Sequence, residues 1–441
     1  MEKFIVSDVF TPAKPARITF IDRENINQKL VNALQMPGKQ IIVYGHSGSG
    51  KTTLVLNKLN QLYERHITTR CMKGLKFDQL ILDAFDQLAP YYKAEVSSKD
   101  TKTLSVDISG SYLALQSKIN QTESSETIKK ESRILPPQLT PQALGKFLGQ
   151  AKCCWILDDF HKIDESEKTQ LSQLMKVFMD LSDDFGDLKI VALGAVDTAR
   201  QVVDYDPEMR NRVSEIHVDL MTPEEIKNII EKGEKVLNIE FGDEIKSLVA
   251  NFSNGLASVC HHLCTYMCYS AGFHETLDVK VILNNDNFEE ALKMYMEDSS
   301  DSIRSAFDRA IKQRRKTIYD NGNLVVEALS TFKERGASRV QILNKIRTKE
   351  TKYPESNLKA LLPKLSTEEY GGLVRYDQTA GLYSFSDPIY RAYALALYRK
   401  DNNNSQQLLT GNEGLNQLIK LFIREMNKNN KIEIKIHNKS T

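Results

Sequence analysis

Residues 45–53 read Gly-His-Ser-Gly-Ser-Gly-Lys-Thr-Thr and match the pattern G-x-x-x-x-G-K-[ST] of a phosphate-binding loop. The loop follows an apolar run at 40–44, which predicts a buried strand, and opens a helical pattern at 53–63. Glycines in such a loop let backbone N–H groups converge on phosphates at the positive end of a helix. The sequence therefore predicts a nucleoside triphosphate site lined by Gly45, His46, Ser47, Gly48, Ser49, Gly50, Lys51, Thr52 and Thr53.

A second apolar run, at 153–157, ends in two carboxylates, Asp158 and Asp159. At the carboxyl edge of a parallel sheet these groups lie beside a phosphate loop. We expect Lys51 to contact the β- and γ-phosphate oxygens, and Thr52 and Asp158 to hold Mg²⁺. Asp159 is then placed to orient or deprotonate an attacking water. ATP and Mg²⁺ are the ligands that this pattern implies.

The first half of the chain alternates strands with helices. Strands are predicted at 40–44, 66–72, 153–157 and 189–194, and helices at 53–63, 77–88, 142–150 and 165–181. This order predicts an α/β core at 1–220 with a parallel sheet covered by helices on both faces. Residues 93–141, rich in Ser, Thr, Lys and Glu, predict an exposed insertion.

The second half of the chain reads differently, because strand patterns disappear beyond Pro223. Three helical patterns predict a small helical lid at 221–283, and an acidic, Asn-rich stretch followed by a basic helix predicts a linker region at 284–319. Three further helices and two short β-runs at 320–400 predict a winged helix-turn-helix. Residues 401–441 predict an Asn-rich tail with a short amphipathic helix.

Composition narrows the function classes. The 59 Lys and Arg residues balance 58 Asp and Glu residues, which excludes a globally basic nucleic-acid coat but allows local basic patches. No apolar run reaches the roughly 18 to 20 residues of a spanning helix, and no secretory signal is visible. A cytoplasmic protein without a membrane partner is expected. The six cysteines predict reduced thiols, and Cys260, Cys264 and Cys268 predict helix core rather than a metal site.

The segments GHSGSGKTTL, WILDDFHKID, IVALGAV, MRNRVSEIHV and SNGLASVCHHL together resemble P-loop ATPases of the AAA+ and STAND classes, especially bacterial relatives of origin-recognition initiators. The resemblance covers about 20–275, and the winged helix near 320–400 is a second shared feature. It implies an ATPase core, a helical lid and a winged helix that work as a nucleotide-controlled switch or an oligomeric DNA-bound machine. Asp159 stands where AAA+ ATPases usually have Glu and looks more like STAND proteins, which implies slow turnover.

The same resemblance implies that Arg212, with Arg210 as the alternate, projects into the nucleotide of a neighbouring copy; an ordinary surface salt bridge is the other interpretation. Two polar positions of AAA+ enzymes are replaced. The run that begins at 189 ends in Gly-Ala, where many AAA+ enzymes have a polar residue that positions water; Asp197 or Thr198 is the candidate substitute. Residues 255–258, in the predicted lid, lack the arginine that many AAA+ ATPases carry there. No cation in cis is evident near the γ-phosphate, so a neighbour in a nucleotide-dependent homo-oligomer is expected to supply it.

Two basic stretches, 303–316 and 333–352, suit phosphate contacts. The expected recognition helix at 356–366 carries only Lys359 and Lys364 as cations, which favours non-specific duplex DNA or a protein contact over base reading. Two functions follow. The first is an ATP-binding signalling or defence switch with weak hydrolysis and an effector in another chain. The alternative is an initiator-like or transposition-type ATPase that binds DNA.

Overall fold

The computed structural model describes most of the chain, namely residues 3–97, 140–194, 209, 211–298, 300–312, 318–333, 335–378 and 380–398. The chain forms two compact units, one of residues 22–218 and one of the residues up to Ile21 together with those from Asp219 onward. Most of the predicted insertion and the tail at 401–441 lie outside the described residues, as do Arg210, Asp197 and Thr198.

A short helix, α1 (Val6–Val9), precedes the unit that carries the phosphate loop. The strands of that unit are β1 (Gln40–Gly45), β2 (Arg65–Arg70), β3 (Cys153–Asp158), β4 (Ile190–Gly194) and β5 (Val213–Val218). Its described helices are α2 (Glu24–Gln35), α3 (Lys51–Leu62), α4 (Phe77–Ser97), α5 (Pro141–Gln150) and α6 (Glu165–Asp180). The strands form one parallel sheet in the order β2-β3-β4-β1-β5. The predicted parallel α/β fold is confirmed.

Apolar strand residues form the core of this unit. β3 and β4 are buried nearly throughout, because a parallel sheet has helices packed on it. Trp155 is fully buried and packs near Phe178 of α6. The edge strand β5 was not predicted, because its sequence VSEIHV carries polar residues at half-exposed positions.

The second unit is mainly helical. Its helices are α7 (Pro223–Leu237), α8 (Asp243–Ser253), α9 (Ala257–Ser270), α10 (Asn285–Asp298), α11 (Ser300–Ile311), α12 (Asn321–Ser330), α13 (Arg339–Arg347), α14 (Glu355–Leu365) and α15 (Pro388–Leu397). Its strands are β6 (Ile239–Phe241), β7 (Val281–Leu283), β8 (Val374–Asp377) and β9 (Leu382–Phe385). Helices α12 to α14 and the antiparallel pair β8–β9 follow in the predicted order.

Two expectations for this unit are wrong. Strands do not disappear beyond Pro223, because β6 and β7 form a short parallel pair. The stretch after 284 is not an extended linker but the helix α10. Its apolar residues Phe288, Ala291, Leu292 and Tyr295 are buried, and their helical spacing places them on one face despite the acidic composition.

The N-terminal segment also departs from the expected core boundary at residue 1. Val6, Val9 and Phe10 are buried in the core of the second unit. The backbone N–H of Thr11 donates to Nδ1 of His261 at 3.1 Å, and the hydroxyl of Thr265 donates to the carbonyl of Phe10 at 3.2 Å. Residues before Asp22 therefore belong to the helical unit.

The six cysteines are free and buried, which confirms the core interpretation of the three on α9. Among the described residues, no group of His, Cys, Asp or Glu has the arrangement of a metal site. No helix in the described part of the chain is long and apolar enough to cross a membrane.

Candidate nucleotide-binding site

The phosphate loop connects the carboxyl end of β1 to the amino end of α3. Gly45, at φ +155°, lies so close to β5 that a Cβ atom there would be 2.5 Å from the carbonyl oxygen of Val218. Gly50 precedes α3 with φ +92°, a left-handed conformation that glycine adopts without strain. The backbone therefore makes the predicted turn into a helix N-terminus, where free N–H groups favour an anion.

Lys51 lies inside this loop, and its ammonium donates to the carbonyls of Gly45 at 3.0 Å and His46 at 2.8 Å. Burial lowers the pKa of Lys51 to about 8, against the opposing charges of Asp159 and Asp158. Ser49 is only 1% exposed, and its hydroxyl has no hydrogen-bond partner among the described residues. A partly buried ammonium and a buried hydroxyl without a partner among the described residues, beside a narrow glycine turn, fit a bound triphosphate.

The two carboxylates lie at the end of β3. Asp159 has a left-handed backbone at φ +57°, and its N–H donates to Oδ1 of Asp158 at 3.0 Å. Burial is the main cause that raises the pKa of Asp158, followed by the charge of Asp159; the Asp159 N–H, Arg70 and Lys51 oppose the rise. The structure thus brings Lys51, Asp158 and Asp159 into one electrostatic environment, as expected from the place of the acidic pair at the carboxyl edge of the sheet.

A one-turn 3₁₀ helix, Phe160–Lys162, follows the acidic pair. The Lys162 ammonium lies 2.7 Å from Oδ2 of Asp159, and both side chains are about half exposed. Burial lowers the pKa of His161, and its Nδ1 has no hydrogen-bond partner among the described residues.

Cations in cis were missed by the sequence reasoning. Arg70 ends β2 directly opposite Asp158 in the register of β2 and β3, and Lys162 contacts Asp159. Two cations of the same chain thus lie beside the acidic pair, where the sequence indicated none. Both strands end in a charged residue at the same edge, and this shared ending is the signal that could have identified Arg70.

Arg212 lies at the other edge of the sheet. Its carbonyl accepts from the N–H of Gln40, the first residue of β1, so the length of β1, about 16 Å at 3.3 Å per residue, separates it from the phosphate loop. Its guanidinium pairs with Asp180 at 3.2 Å, and both side chains are more than half exposed. Arg212 cannot reach the nucleotide of its own chain.

The sheet order, the loop and the acidic pair define the P-loop nucleotide-binding fold. Residues 19–180 match the family model of the AAA ATPase domain. A search of the curated proteins finds no match. A Walker-type ATPase of Pyrococcus abyssi is similar in structure, with 15% identity, a TM-score of 0.54 and coverage of 86% of this chain and 97% of that chain.

Two further solved structures are similar over most of their length. The Cdc6p protein of Pyrobaculum aerophilum has 14% identity and a TM-score of 0.40 over 94% of this chain and 98% of that chain. The ORC1 protein of Aeropyrum pernix, solved in complex with DNA, has 12% identity and a TM-score of 0.42 over 89% and 96%. At 15% identity, the Pyrococcus abyssi ATPase shares its fold with this chain.

Proposed function

We propose that this protein is an Mg²⁺-dependent ATP-binding switch of the AAA+/STAND type that hydrolyses ATP slowly. The observation that supports this proposal most directly is that the charges of Lys51, Asp158 and Asp159 interact at the end of the phosphate loop. This group lies within the residues that match an AAA ATPase domain. A steady-state assay of phosphate release from ATP, with and without Mg²⁺, tests the proposal.

The chain's own residues account for the steps. Loop N–H groups and Lys51 bind the phosphates, and Thr52 with Asp158 would hold Mg²⁺, which neutralises phosphate charge when bound. Asp159 orients a water and accepts its proton as the water oxygen bonds to the γ-phosphorus. The bond from that phosphorus to the β–γ bridging oxygen breaks, so that ATP and water give ADP and phosphate.

Slow turnover is supported by what surrounds these groups. Asp159 is shorter than the glutamate usual in AAA+ ATPases and is already engaged by Lys162. Residues 255–258 carry no arginine. A protein that keeps its nucleotide for long periods suits a switch, whose output would pass to a partner in another chain.

We further propose that Arg212 completes the site of a neighbouring copy. Lys162 is paired with Asp159 and Arg70 lies opposite Asp158 in the strand register, whereas Arg212 lies at an exposed edge too far from its own loop. Arginine fingers contribute about 10³ to 10⁵ in rate. Turnover per protomer is therefore expected to rise with protein concentration, and Arg212→Ala is expected to abolish that rise.

Mixing Arg212→Ala protein with Asp159→Asn protein provides the decisive measurement, because each copy supplies what the other lacks at one interface. Activity should recover in the mixture relative to either variant alone. No recovery in mixtures shown by light scattering to co-assemble contradicts an arginine in trans and favours a monomeric switch.

The second candidate function is the DNA-binding ATPase. Basic side chains on and before α13, among them Arg335, Lys345 and Arg347, are exposed, although Arg339 pairs with Glu355 at 3.4 Å. Stimulation of ATP hydrolysis by duplex DNA favours this function, and ADP retained through purification favours the switch.

Weak duplex binding without sequence preference is expected from these side chains, with affinity that falls steeply as salt rises. Replacing Arg335 and Lys345 together by alanine should lower the slope of log affinity against log salt by about 2, since each phosphate contact contributes about 0.9. Fluorescence anisotropy with a labelled duplex measures this slope. Lys280→Ala serves as the control, because Lys280 lies outside both basic stretches and pairs with Glu240. If the protein does not bind duplex DNA at low salt, the predicted winged helix at 320–400 is assigned to a protein contact instead.

A further inference from the structure

We propose that Lys162 is a positioning residue that restrains Asp159, and that opening of their ion pair frees the carboxylate to act on water. The inference rests on the proposed function, because it concerns the same site. It starts from a contact that no sequence motif indicated, the 2.7 Å approach of the Lys162 ammonium to Oδ2 of Asp159.

Two contacts hold the turn that joins Asp159 to Lys162. The backbone N–H of Lys162 donates to the carbonyl of Asp159 at 2.9 Å, and the side chains of the same residues form the ion pair. Phe160 is fully buried and Ile163 is nearly so, which fixes the turn against the core. The side-chain ion pair adds to this restraint of the turn and sets the position of the Asp159 carboxylate.

The neighbouring carboxylates turn in different directions. Asp158 bends back to accept the N–H of Asp159, whereas Asp159 bends forward to Lys162. Because Oδ2 of Asp159 is held by the Lys162 ammonium, only the other carboxylate oxygen is open to a water. The ion pair therefore lowers the rate at which Asp159 can take a proton from water.

The size of the effect follows from exposure. The side chains of Lys162 and Asp159 are 47% and 48% exposed, and ion pairs at such positions are weak and screened by salt. Removing the lysine should therefore raise kcat by about twofold to fivefold. The KM for ATP should stay unchanged, because Lys51 and the loop N–H groups bind the phosphates.

The experiment compares the wild type, Lys162→Met, Lys162→Arg and a matched control, Lys227→Met. Lys227 pairs with Glu224 at the same i,i+3 spacing and 3.3 Å, in the helical unit. The first readout is amide hydrogen exchange of a peptide spanning 159–163 in nucleotide-free protein. Exchange should be faster in Lys162→Met and unchanged in the control, with the arginine variant close to the wild type.

The second readout is steady-state ATP hydrolysis at saturating ATP. In Lys162→Met, kcat should rise at constant KM, and added salt should raise the turnover of the wild type toward that of the variant without changing the variant. Arginine should restore the wild-type rate, since it can keep the ion pair.

The outcomes separate the two proposals. A wild-type protein that binds ATP without hydrolysing it overturns the proposed hydrolysis. A wild-type protein that hydrolyses ATP while Lys162→Met shows an unchanged or lower kcat overturns the restraint and leaves the proposed function standing. A fall in kcat would make Lys162 a cation that assists the reaction in cis.

Discussion

Lys51→Ala protein is expected to bind ATP about 10- to 100-fold more weakly than the wild type. The variant loses the ammonium that would meet the β- and γ-phosphate oxygens, and one hydrogen bond to a charged group contributes about 1.5–3 kcal/mol, or about tenfold for each 1.4 kcal/mol. Isothermal calorimetry measures the change. Lys73→Ala, an exposed lysine of the same unit, is the control.

The pH dependence of binding gives an independent check on the same residue. Burial lowers the pKa of Lys51 to about 8 in the nucleotide-free protein, so the ammonium is protonated below that pH and loses its proton above it. Because only the charged form attracts phosphate, wild-type affinity should fall as pH rises above about 8, and that decline should be absent in Lys51→Ala. If Lys51→Ala binds ATP as tightly as the wild type, residues 45–53 are not the phosphate-binding loop.

The sequence predicts the sheet and the loop well because their signals are local. A strand that ends in Gly45, a loop with fixed spacing and a helix opening at Lys51 lie within a few residues of one another. Asp158 and Asp159 follow a continuous apolar run, which is the pattern of a buried parallel strand.

Features that depend on distant packing were not predictable in the same way. The N-terminal segment reads as part of the core, yet Phe10 and Thr11 pack on helices more than 200 residues later. The strand β5 carries no continuous apolar run, because an edge strand is half exposed. Arg70 and Lys162 became part of the site only through strand register and a side-chain contact, and neither leaves a motif.

Asp159→Asn is expected to lower kcat by at least about 100-fold while ATP and Mg²⁺ binding change little. General-base groups contribute about 10² to 10⁴ in rate, and an amide cannot take the proton of the attacking water. Binding should persist because Lys51, Thr52 and Asp158 are untouched. Asparagine suits this position, since it tolerates the left-handed backbone at φ +57° better than most residues.

Asp159→Asn also removes the ion pair with Lys162, so the two consequences must be separated. Lys162→Met removes the pair and keeps the carboxylate, and it is expected to raise kcat whereas Asp159→Asn lowers it. Opposite directions in the two variants show that turnover depends on the carboxylate and not on the ion pair. Single-turnover measurements with calorimetric Kd values distinguish lost chemistry from lost binding. If turnover persists in Asp159→Asn, the base lies elsewhere. His161 of the same turn, whose Nδ1 has no hydrogen-bond partner in the described part of the chain, is then the residue to replace next.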